Sequence, residues 1–137
     1  MTSVSRIGWR HQNGQATDGL RDREWLVANG LGGYSSGTLA GGATRRYHGL
    51  LIAGLPNPLG RTMMFDHLVE ELRLPDGTSC RLGGGAMGPD APLPANGHLE
   101  EFRLEMGLPV WVYRFGEIVL EKRLVLTYMQ NLSLIHI

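Results

Sequence analysis

Glycine crowds one short stretch of this 137-residue chain. Gly30, Gly32, Gly33, Gly37, Gly41 and Gly42 fall within thirteen positions. In a helix interior each would cost about 1 kcal/mol relative to alanine. The segment is therefore expected to be loop, with backbone in conformations that glycine adopts at little cost. A second loose stretch, residues 83–94 (GGGAMGPDAPLP), resists regular structure in the same way and reads as a surface excursion.

Between these stretches the pattern is strand-like. Leu50-Leu51-Ile52-Ala53 is a short apolar run that suits a strand buried on both faces. Met63 to Leu74 and Thr78 to Leu82 read as two strands. The Pro75-Asp76-Gly77 between them is suited to a tight hairpin: proline presets φ and glycine takes the positive φ. Phe102, Leu104 and Met106 alternate with Glu101, Arg103 and Glu105. Ile118, Leu120, Leu124, Leu126 and Tyr128 share one parity against Glu117, Glu121, Arg123 and Thr127, with Lys122 interrupting the apolar face as if at a sheet edge. Alternation of period two means a sheet with one wet face. No segment shows a sustained helical stripe. The expectation is a mainly β fold of packed antiparallel sheets, a β-sandwich.

The length suits one domain or part of one, and is too short for an (α/β)₈ or α/α barrel. Thirteen basic residues balance thirteen acidic ones, which argues against a broad electrostatic grip on nucleic acid. A single cysteine, Cys80, excludes an internal disulfide and a cysteine-rich zinc site. The first residues lack the apolar core of a signal peptide, and no run of about 18 apolar residues occurs. The sequence is read as soluble and cytoplasmic, with no membrane partner. Residues 132–137 (LSLIHI) follow Asn131 with no turn or cap and are expected to be a tail foreign to the domain, the alternative being an ordinary apolar strand end; His136 receives no role.

The glycine block supports three chemistries. Gly32-x4-Gly37-Thr38 approaches a P-loop but has no lysine to reach a phosphate, and position 35 is serine where a dinucleotide fingerprint needs its third glycine. Gly33-Tyr34-Ser35-Ser36-Gly37 matches the nucleophile elbow G-x-S-x-G, with Ser35 as nucleophile and His48, His67 or His98 as base. That motif needs a strand-to-helix turn, and Leu39-Ala40-Gly41-Gly42 is a poor helix start. The third reading is a structured surface for a neutral polar ligand or a neighbouring domain. Asn29, Tyr34, Ser35, Ser36, Thr38 and Thr44 offer donors and acceptors with little charge, and Arg45-Arg46-Tyr47-His48 adds planar donors and an aromatic ring. A glycine-rich loop packed on its own sheet accounts for the residues equally well.

Other reactive residues have plainer explanations. Glu70 with Glu71, or Glu100 with Glu101, would point to opposite faces of a strand, and solvated strand faces account for them and for Asp66. Trp25 and Trp111 could stack on sugar rings, but core or interdomain packing suits both better. His48 has no second ligand at metal spacing and reads as a hydrogen-bonded structural histidine. Cys80 reads as inert. Met63, Met64 and Phe65 read as core filling.

The ordered block EWLVANGLGGYSSGT (residues 24–38), followed by GGATRRYHGLL (residues 41–51), resembles the N-terminal domain of the bacterial and archaeal type of glycogen debranching enzyme. Pro58-Leu59-Gly60-Arg61 matches the family's next turn, and the likeness continues as strands to about residue 130. The resemblance implies a supersandwich-like β domain joined, in full-length relatives, to a C-terminal α/α-barrel of the glucoamylase-like kind. That barrel carries the carboxylates that hydrolyse α-1,6 branch points (amylo-α-1,6-glucosidase activity), one as general acid and one as base or nucleophile. Residues 1–131 are accordingly expected to be a partial N-terminal sandwich, truncated at its C-terminal end, from an enzyme of glycogen catabolism. The segment itself would carry no catalytic residue, cofactor or metal. Asn29, Tyr34, Arg45, Arg46, Tyr47 and His48 are the expected contacts to α-glucan (glycogen, maltooligosaccharides) or to the protein's own catalytic domain. Only one of Arg45 and Arg46 is expected to meet ligand, the other holding the loop through carbonyls or a carboxylate such as Glu24. The alternatives are a purely structural buttress and a serine esterase using Ser35.

Overall fold

The computed structural model describes residues 7–12, 17–83, 98–129 and 133–137. Eleven strands follow in chain order among them: β1 (Ile7–Arg10), β2 (Glu24–Ala28), β3 (Tyr34–Thr38), β4 (Gly49–Gly54), β5 (Arg61–Phe65), β6 (Glu70–Arg73), β7 (Ser79–Gly83), β8 (Leu99–Glu105), β9 (Leu108–Phe115), β10 (Ile118–Leu126) and β11 (Ser133–His136). A single 3₁₀ turn, Thr17–Leu20, precedes β2. All pairings are antiparallel. One sheet has the order β1-β8-β9-β10-β11, a second β2-β3-β4-β5, and β6-β7 form a separate hairpin. The fold is the expected antiparallel β-sandwich.

Alternation builds the core. β2 turns Trp25 and Val27 inward and Glu24, Leu26 and Ala28 outward. From the facing sheet, Phe102, Trp111, Tyr113, Phe115, Leu124 and Leu126 complete the core. Trp25 and Trp111 meet edge to face across it, ring centroids 5.3 Å apart. Each indole N–H donates to a backbone carbonyl where β3 ends, Trp25 to Thr38 (3.1 Å) and Trp111 to Leu39 (3.0 Å). Both tryptophans are core residues.

The glycine block is only partly loop. Residues 34–38 form β3, with β2 on one side and β4 on the other. The helix penalty that excluded a helix says nothing against a strand whose glycines admit close neighbours. At Gly37 a Cβ would stand 3.3 Å from the Trp25 ring, so the bare backbone there gives the indole its place. The Pro75–Gly77 hairpin forms as expected, with Gly77 at φ 88° and Leu74 N–H donating to Thr78 O (2.8 Å). The preceding run is two strands rather than one: β5 belongs to the second sheet, β6 to the hairpin, and residues 66–69 cross between them.

Three further expectations are corrected. Met63, Met64 and Phe65 are exposed, Met64 by 59%, because β5 is the edge of its sheet. Lys122 is not at a sheet edge; β10 runs between β9 and β11, and the lysine side chain points inward, residue exposure 5%. Glu70 is not on a solvated face but is buried against Lys122. Asp66 and Glu71 are exposed, and Glu100 and Glu101 pair with Arg114 and Arg10 at 3.1 and 3.0 Å. The loose stretch 83–94 lies outside the described residues apart from Gly83, which ends β7. Residues 133–136, expected to be part of a foreign tail, form β11 and pair with β10 from Leu126↔Ser133 to Arg123↔His136.

The two outer faces differ in kind. On the five-stranded sheet Arg103 bonds Glu105 (3.1 Å) and Glu121 (3.0 Å), and Arg123 bonds the same two carboxylates. On the four-stranded sheet Leu26, Met63 and Phe65 are open to solvent, and charge is concentrated at one corner around Glu24.

Candidate functional site

That corner is built from β2, β3 and the turn that leads into β4. Glu24 opens β2, facing outward opposite Thr38 of β3. Residues 44–48 fold into a turn with His48 N–H donating to Arg45 O (3.1 Å). The Tyr47 carbonyl accepts the hydroxyls of Tyr34 (3.0 Å) and Ser36 (3.2 Å), so the turn is fastened to β3.

Glu24 gathers three residues of the turn. Its Oε1 accepts the Arg45 Nε–H, and its Oε2 accepts the Tyr47 hydroxyl at 3.1 Å. His48 Nε2 lies 3.2 Å from Oε1, at an angle short of a full hydrogen bond. On the other side of the ring, His48 Nδ1 accepts the N–H groups of Thr44 (3.0 Å) and Arg45 (3.3 Å). Two backbone donors on Nδ1 place the proton on Nε2 and make this a neutral imidazole. His48 is 1% exposed, and its ring meets the Tyr47 ring edge to face at 5.1 Å.

The electrostatics follow from these contacts. The Arg45 hydrogen bond holds the Glu24 carboxyl below its ordinary range; partial desolvation opposes it and the Tyr47 bond adds to it. The same bond raises Arg45. Desolvation, then the bond to Glu24, raises the Tyr47 phenol. Burial pushes His48 down, against the pull of the Glu24 charge.

The six expected residues therefore separate. Arg45, Tyr47 and His48 come together on Glu24. Tyr34 adjoins them through the Tyr47 carbonyl and lies under the Arg61 guanidinium, 5.8 Å from ring centroid to Cζ. Arg46 is exposed, with no side-chain partner among the described residues. Asn29 is fully buried, and its Oδ1 accepts the N–H groups of Leu31 (2.8 Å) and Gly33 (3.0 Å), closing the β2–β3 turn. Arg45 holds the turn to Glu24, as expected of one of the two arginines. They lie in a turn, not a strand.

Glu24 as the hub and the Glu70–Lys122 pair were missed as sites. The lysine half of the pair was signalled in the sequence; its partner was not. Lys122 is the single lysine beside twelve arginines, and it stands on the apolar parity of β10. Such a position requires a buried carboxylate.

An open groove of about 320 Å³ is lined by Trp9, Arg23, Glu24, Trp25, Leu39 and Phe102, with no residue of the 44–48 turn among its walls. Its size lies at the lower end of the range for small-molecule pockets. A second cavity, against Trp25, Trp111 and Lys122, has about 30 Å³, room for a water rather than a sugar.

Neither phosphate nor acyl-transfer chemistry fits. β3 leads into a turn and not a helix, so both the P-loop and the nucleophile elbow lack their scaffold. Ser35 is fully buried in mid-strand, its Oγ 3.5 Å from the Gly49 carbonyl. No cluster of three metal-ligating side chains occurs among the described residues, and no helix among them is long and apolar enough to cross a membrane.

The described residues define an antiparallel β-sandwich domain with a polar turn at the corner of one sheet. The chain belongs to the glycogen debranching enzyme N-terminal domain family, whose profile matches residues 23–137. Neither the curated proteins nor the solved structures include a significant match.

Proposed function

We propose that this domain contacts α-glucan through the Arg45–Tyr47 turn and supports the catalytic domain of a cytoplasmic glycogen debranching enzyme. The carboxylates that cleave α-1,6 linkages then lie outside these 137 residues. The observation that carries this reading is the presentation of Arg46 and Tyr47. Both are exposed on a turn held by Glu24 through Arg45 and Tyr47, and by β3 through the Tyr47 carbonyl. A planar donor beside an aromatic face matches the hydroxyl and C–H sides of a glucosyl unit, and pre-fixing the turn lowers the ordering cost of binding.

A second reading has its own support. The exposed Leu26, Met63 and Phe65 give the outer face of the four-stranded sheet apolar surface, as expected of a surface that buttresses another domain. Titrating the full-length enzyme with maltooligosaccharide separates the two. Sugar-dependent protection of backbone amides in residues 34–47 supports glucan contact. Protection that depends only on the presence of the catalytic domain supports the buttress.

A further inference from the structure

We propose that His48 is a proton-operated latch on the turn Thr44–His48. The neutral ring holds the turn closed, and protonation at Nδ1 opens it and releases Arg45 and Tyr47. The latch is independent of what the turn binds.

The argument rests on which atoms the ring uses. Nδ1 is an acceptor for two backbone donors at once, Thr44 N–H at 3.0 Å and Arg45 N–H at 3.3 Å. A proton on Nδ1 replaces that acceptor with a donor, and three N–H groups then converge on one point. Both amides lose their partner in a setting where the imidazole is 1% exposed and water cannot substitute without opening the turn. The outward consequence follows from connectivity. Arg45 and Tyr47 precede His48 in the same turn, and both bond Glu24.

The ionisable groups around the ring act in opposite senses. Glu24, from β2, favours the imidazolium through its 3.2 Å approach to Nε2. Arg45, from the turn itself, opposes it, as does burial. Tyr47 abuts the ring edge to face and is uncharged below its own raised pKa. Tyr34, on β3, donates its hydroxyl to the Tyr47 carbonyl. Asp22 acts on Arg45 from the turn before β2. The net direction is toward a neutral ring, with protonation displaced below the ordinary histidine value of 6.5. Opening is thus an acid-side event, and the closed turn is the neutral-pH state.

The test is an amide NMR titration of the full chain from pH 8 to pH 5. The Thr44 and Arg45 amide signals and the Tyr47 ring signals are expected to move together with a midpoint below pH 6.5. Protection of those two amides, corrected for intrinsic exchange, should fall by up to about tenfold per pH unit in that range. His48→Asn places an amide oxygen near the position of Nδ1 and cannot take the proton, so its turn should stay closed throughout. Glu24→Gln removes the charge that favours the imidazolium and should move the midpoint to lower pH. Amides that stay still while His48 titrates overturn the latch, as does the same transition in His48→Asn or unfolding of the whole chain before these amides respond. If His48→Asn does not fold, Glu24→Gln decides: an unshifted or raised midpoint overturns the proposal. Loss of maltooligosaccharide binding with the titration intact would remove only the glucan reading.

Discussion

Lys122 Nζ lies 2.6 Å from the Glu70 carboxylate, joining β10 of the five-stranded sheet to the β6–β7 hairpin. Each side chain is 7% exposed. The ammonium also stands 5.2 Å from the centroid of the Trp111 ring, its cross-strand neighbour. Removing one partner leaves a buried charge uncompensated, a loss of about 3–5 kcal/mol, whereas replacing both with apolar residues of similar volume is often near neutral. Urea unfolding should therefore show Lys122→Met and Glu70→Leu each strongly destabilised. The double variant should recover most of the loss. Additive losses in the double variant would mean that the pair does not act as a unit.

Gly37 provides the second prediction. Its missing side chain leaves room for the Trp25 ring, which a Cβ would approach to 3.3 Å. Gly37→Ala forces the indole to shift by a few tenths of an ångström, and Gly37→Val must displace it. Overpacking of this kind costs about 1–3 kcal/mol. The denaturation midpoint should fall in the order wild type, alanine, valine. Tryptophan fluorescence should shift with it, since Trp25 and Trp111 are in contact.

What the sequence disclosed was local. Pro75-Asp76-Gly77 encodes its own turn, and the alternation in residues 102–106 and 118–126 states which face each residue takes, so the hairpin and the strands β8 and β10 were legible, while β9 between them was not read. What it hid was long-range. Glu70 and Lys122 are 52 positions apart, and each alone looks like a surface charge or an edge residue. Met63 and Phe65 have core-like chemistry, and only the strand order puts them on an edge. Tyr34–Thr38 looked like loop because glycine is scarce in strands, while the Trp25 ring that requires Gly37 lies on the neighbouring strand. At the candidate site the residue types were legible. The hub was not, because Glu24 reaches Arg45, Tyr47 and His48 only once β2 and β3 have paired.

The two arginines should respond differently to substitution. Arg46 is exposed and has no side-chain partner among the described residues, so Arg46→Ala should change stability by no more than about 0.5 kcal/mol. It should nevertheless weaken maltooligosaccharide binding several-fold by calorimetry. Arg45→Ala should weaken binding indirectly, by loosening the turn from Glu24, and should alter the Tyr47 signals in the sugar-free protein. Equal binding by wild type and Arg46→Ala would leave the turn a structural element.

Acid should weaken the fold in two separable steps, and the sign of each follows from its shift. His48 is held below its unfolded value of 6.5 by burial. The unfolded chain then binds the proton more readily, so the contribution is complete above about pH 6.5 and is lost as pH falls toward the folded value. Glu24 is also held down, by Arg45, from an unfolded value of 4.5. Its contribution is present above that value and is lost as pH falls through the folded one. Asp76, Glu105 and Glu121 are lowered as well and act in the same lower window. Urea unfolding at fixed pH steps should show stability declining below pH 6.5 by at most about 1.4 kcal/mol per unit, the limit for one proton, and declining again below pH 4.5. His48→Asn should remove the upper decline and keep the lower one. Glu24→Gln should reduce the lower decline without abolishing it, because the other carboxylates remain. A wild-type curve flat from pH 7.5 to 5 would show that the buried imidazole is already as easy to protonate in the folded chain as in the unfolded one.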